Sequence, residues 1–83
     1  RYSDDYIKEA YAILKDYKSQ KINNTTAIQR LKTLHQKATE ESLNNTKLTK
    51  TCLKMGIIEQ YLNNEITEKD MNKNIKEIDK IYK

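Results

Sequence analysis

An 83-residue chain with no proline and a single glycine lacks most of the residues that turn a β-strand back on itself. Strand-rich folds need a turn signal about every 8–12 positions, drawn largely from Gly, Pro, Asn and Asp. Helices joined by short polar corners need far fewer. The chain is therefore expected to be all-α before any periodicity is counted. Its length allows one small domain, 1–83, that buries only about 60–65% of the surface its unfolded form exposes. With no Trp and no Phe, the core must come from Leu, Ile, Met and six tyrosines.

Four stretches repeat their apolar residues with helical period. In the first, Tyr6, Ile7, Ala10, Tyr11, Ile13, Leu14 and Tyr17 share about half the circumference, and Ser3 is placed to cap it ahead of Asp4 and Asp5. The second carries Ala27, Ile28, Leu31, Leu34, His35 and Ala38 on one face. The third spreads Cys52, Leu53, Met55, Ile57, Ile58, Tyr61 and Leu62 over some two-thirds of the circumference. That arc is wider than a surface helix needs. Either this helix is the most enclosed of the four, or one flank is left to meet a partner. Gly56 inside it costs about 1 kcal/mol relative to alanine, which suggests close approach by another helix. The fourth stretch is a narrow seam of Met71, Ile75, Ile78 and Tyr82.

The corners repeat as well. Tyr17 and Ile22 recur 44 residues later as Tyr61 and Ile66. With Thr67 as N-cap of the last helix, Asp70 falls at N3, Ile66 at N′ and Met71 at N4, a capping box joined to a hydrophobic staple. The same frame makes Asn23 an N-cap, with Ile22 at N′ and Ala27 at N4. The expectation is a small antiparallel four-helix bundle of two helical hairpins, at about 3–20, 24–43, 46–63 and 67–82, joined at Asn44-Asn45.

Catalytic chemistry has little to work with. His35 is the lone histidine and Cys52 the lone cysteine. Cys52 reads as a small buried apolar residue, and nothing orients a third group toward a Cys52–His35 dyad. Neither a metal-ligand spacing nor a phosphate-cradling glycine loop is present. No catalytic residue, metal or cofactor is expected.

The net charge of +4 is uneven. Residues 17–58 hold Lys18, Lys21, Arg30, Lys32, Lys37, Lys47, Lys50 and Lys54 against Glu40 and Glu41, while each flank sums to −1. A basic middle could draw nucleic acid. However, no aromatic lies between Tyr17 and Tyr61 to stack bases, and the basic residues of the second helix straddle its apolar face. Lys47, Lys50 and Lys54 do share a face of the third helix. No run approaches the ~20 apolar residues of a membrane span.

The segment "YAILKDYKSQKINNTTAIQRLKTL", residues 11–34, is similar to helical hairpins of small bacterial and phage surface lipoproteins, whose mature parts are lysine-rich. Small bacteriocin-immunity proteins are also basic four-helix bundles of about this size, although no motif is shared. The resemblance implies an extracytoplasmic or cell-surface protein. A chain beginning at Arg1 fits an excised domain or the mature part of a longer precursor, with a lipid anchor upstream. The function expected is non-catalytic binding to another protein, of an inhibitory or exclusion/immunity type. Leu53, Ile57 and Tyr61 are the expected anchors, with Lys50 and Lys54 at the rim. The alternative is a small basic cytoplasmic nucleic-acid-associated protein.

Overall fold

The computed structural model describes residues 3–82 and contains four helices: α1 (Ser3–Lys18), α2 (Asn24–Ser42), α3 (Leu48–Leu62) and α4 (Glu68–Ile81). They form a compact all-helical bundle, and the boundaries lie within two residues of those expected. α1 already includes Ser3, so its cap falls outside the described residues.

The two outer corners are built alike, bond for bond. At the end of α1, Lys21 N–H donates to the Asp16 carbonyl at 2.9 Å and Gln20 N–H to that of Tyr17 at 3.1 Å. At the end of α3, Glu65 N–H donates to Gln60 at 2.9 Å and Asn64 N–H to Tyr61 at 3.0 Å. Each is the six-to-one and five-to-two pair of a Schellman motif, whose C′ residue must be left-handed. Gln20 and Asn64 take that role, at φ 66° and 62°. The next helix then starts on a side-chain cap. Asn23 accepts from Thr26 N–H at 2.8 Å, and Thr67 accepts from Asp70 N–H at 3.2 Å. Ile22 and Ile66 are half-buried against the core that holds Ala27 and Met71, as a staple requires. Tyr17 and Tyr61, one from each copy, meet edge to face with ring centroids 6.1 Å apart.

Packing is less symmetric than the corners. α3 lies against all three other helices, whereas α4 packs backbone to backbone on α3 alone among the described residues. The side chains show why. On α3, Cys52 and Glu59 face α2, while Lys50 and Lys54 reach Asp79 of α4. At 100° per residue those two groups are about half a turn apart, so α2 and α4 flank α3 on opposite sides. Flattening follows, and the molecule measures 34 × 23 × 17 Å.

The core runs through Tyr6, Ala10 and Leu14 of α1, Ala27, Leu31, Leu34 and Ala38 of α2, Leu48, Met55, Ile58 and Leu62 of α3, and Met71 and Ile75 of α4. Each of its large side chains contributes about 1.5–3 kcal/mol relative to exposure. Leu48, Met55, Ile58 and Leu62 are fully covered, so the broad apolar arc of α3 is chiefly the mark of the most enclosed helix. Three expectations need correction. The seam of α4 weakens toward its end, with Ile78 half-buried and Tyr82, past the last helical residue, 44% exposed. Tyr11 stands at the rim of the α1 face instead of inside it. Gly56 faces His35 without crowding, because a methyl group there would meet His35 Cε1 at 4.0 Å, an ordinary contact.

Candidate partner-binding face

α3 presents its expected contact residues in three different ways. Ile57 and Tyr61 are half-buried and pack against the core, Tyr61 through its contact with Tyr17. Leu53, one turn from Lys50 and Gly56, remains 40% exposed. Lys50 and Lys54 turn toward α4, where both ammonium groups bind Asp79 Oδ1, at 2.8 Å and 2.6 Å. The Lys54 side chain is only 12% exposed, so its aliphatic stem covers apolar surface while the head reaches the carboxylate.

Asp79 was not singled out from the sequence, although a signal existed. It follows Ile78, which places it at one rim of the seam of α4; the helix that this rim meets is set by packing. Hydrogen bonds from Lys50 and then Lys54 hold its carboxyl below the ordinary aspartate value of 3.8. Tyr11 of α1 stands over the same cluster. Burial of its ring raises the phenol above 10.0, the negative charge of Asp79 raises it further, and Lys50 opposes both. Tyr82 closes the other side, lining a shallow hollow with Thr46, Lys47 and Lys50. Lys50 is thus bordered by three partly exposed side chains, Tyr11, Leu53 and Tyr82.

On the opposite flank of α3, Glu59 and Cys52 meet His35 and Thr39 of α2. His35 Nδ1 lies 2.9 Å from Glu59 Oε1, with both side chains mostly covered. Cys52 is half-buried instead of fully buried, and its Sγ sits 3.8 Å from the Thr39 hydroxyl. That hydroxyl also donates to the His35 carbonyl at 2.8 Å. These contacts form a ladder between α2 and α3. Among the described residues no group of three or more His, Cys, Asp or Glu side chains is arranged to hold a metal ion. No described helix is long and apolar enough to cross a membrane.

The basic middle of the sequence is partly neutralised by the fold. Lys18 pairs with Glu68 across the two outer corners, and Lys50 and Lys54 share Asp79. A second hollow, at the first corner, is lined by Tyr17, Lys21, Ile22, Asn24 and Tyr61. No protein-family profile, curated protein or solved structure matches the chain.

Proposed function

We propose that this chain is a non-catalytic protein-binding module whose contact face centres on Lys50 and Leu53 of α3. The observation that carries the reading is the bracketing of a lysine–aspartate clamp by Tyr11, Leu53 and Tyr82, all partly exposed. Tyrosine and large aliphatic side chains beside a fixed charge make a contact centre with a polar rim. Ile57 and Tyr61 act from beneath, by fixing α3 under that face, and Lys54 acts through Asp79. The likeness of residues 11–34 to hairpins of small surface lipoproteins favours a partner met outside the cytoplasm, in an inhibitory or exclusion-type role. A nucleic-acid role has less support. Three of the eight cationic residues in the basic middle are engaged by carboxylates. Binding of that kind would also have to fall steeply with salt.

The test is a photo-crosslinking residue at position 53, compared with one at the exposed position 29 on α2. In the producing cells, position 53 is expected to yield a discrete protein adduct that position 29 does not. Excess unlabelled wild type competes the adduct away, and excess Leu53→Asp does not. Failure to form an adduct at position 53, or equal yield from both positions, contradicts the reading.

A further inference from the structure

The middle corner, between α2 and α3, is made differently from the other two. Both outer corners stop a helix with a left-handed residue, and none of residues 43–47 has positive φ. Leu43 (φ −60°, ψ −29°) and Lys47 (φ −63°, ψ −23°) are already in the right-handed helical region. Helix-like bonds run nearly through the corner. Asn44 N–H donates to Glu41 and Asn45 N–H to Ser42, then Leu48 N–H to Asn45 and Thr49 N–H to Thr46. These are the tight i to i−3 bonds of a 3₁₀ turn, which interconvert readily with α-helix. The break falls at Asn45, whose side-chain oxygen accepts from Lys47 N–H at 3.1 Å. Little else holds the corner. Leu43 is 84% exposed, Asn44, Thr46 and Lys47 are exposed, and the Lys47 side chain does not cap α3. Neither proline nor glycine lies between residues 42 and 49 to forbid a continuous helix.

We infer that a second copy of this chain is a binding partner, in a dimer exchanged at the Leu43–Lys47 corner. In that dimer α2 and α3 join into one helix of about 39 residues, and the α3–α4 hairpin of each copy packs on the α1–α2 hairpin of the other. The contacts between the hairpins reform across the copies, among them His35 with Glu59, Thr39 with Cys52, Tyr17 with Tyr61 and Lys18 with Glu68. The interface is thus the monomer's own, and only the corner changes conformation. The outer corners do not compete as hinges, because each combines a Schellman closure with a side-chain N-cap.

The experiment refolds three proteins at millimolar concentration: wild type, Asn44→Ala/Asn45→Ala and Asn45→Pro. Mass is read by light scattering. Spin labels at positions 36 and 60, in a Cys52→Ala background diluted with unlabelled protein, report the distance within one chain. Those positions adjoin the contacting His35 and Glu59 on helices whose axes pack about 8–10 Å apart. In a continuous helix they separate to roughly 36 Å at 1.5 Å per residue. The double alanine variant is expected to be largely dimeric with the long distance, wild type to show a minor dimer with the same distance, and Asn45→Pro to stay monomeric. The inference is overturned if wild type and the double variant both remain monomers, or if any dimer keeps the short distance.

Discussion

Gln20 holds a left-handed backbone conformation that its own Cβ disfavours. For an L-residue with a side chain the cost is about 1–2 kcal/mol, and asparagine tolerates the region better than glutamine. Gln20→Gly is therefore expected to stabilise the fold by roughly 1 kcal/mol, and Asn64→Gly by less. Urea unfolding of the two variants measures the order directly, and equal effects would contradict it by showing the two outer corners to be equally strained. Asp79 supplies the second residue-level expectation. Its folded-state value lies below its unfolded value, so its contribution is present above about pH 4 and is lost as pH falls through the folded value. The urea midpoint of wild type should exceed that of Asp79→Asn at neutral pH, and the gap should close on acidification. Added salt should narrow it too, since the clamp is solvent-facing. A gap that persists at pH 2 would mean Asp79 acts through something other than its charge.

At the scale of elements, α3 decides the architecture. Among the described residues it is the one helix in contact with all three others, and its glycine is not needed for clearance. Gly56→Ala should add about 1 kcal/mol through helix propensity and raise Tm by about 4–8 °C in a domain this small. A fall in Tm would show that the α2–α3 seam is tighter than its 4.0 Å clearance. The two outer corners were largely legible from sequence. Asn23, Thr67, Ile22 and Ile66 act locally, and capping chemistry depends on spacing alone. Their left-handed closing residues were not legible, because Gln20 and Asn64 are not glycines; only their shared position in the 44-residue echo marks them. The end of α4 was misjudged for a related reason, since periodicity carries Tyr82 onto the seam with no signal that the helix stops before it. Charge partners were hardest to read. Lys50 and Lys54 look like a solvated basic stripe until α4 brings Asp79 alongside, and that depends on a packing angle no local pattern contains.

Across the whole molecule, two hairpins with matching corners share one central helix, yet they do not carry equal weight. The α1–α2 pair and α3 cover one another on several sides, whereas α4 is held to α3 through Met71, Ile75 and the Asp79 clamp, and to α1 by the exposed Lys18–Glu68 pair. Stability should be graded accordingly, because elements with fewer buried contacts open at lower free energy than the global transition. The contact face drawn around Lys50 lies along this seam, where Tyr11 of α1, α3 and the end of α4 come together. Residue-resolved amide hydrogen exchange tests the arrangement most directly. The amides of Met55, Ile58 and Leu62 should exchange last, and those of α4 should exchange measurably faster than any in the interior of α3. Protection in α4 equal to that of α3, or exchange in α3 ahead of α1 and α2, would contradict a molecule organised around its third helix.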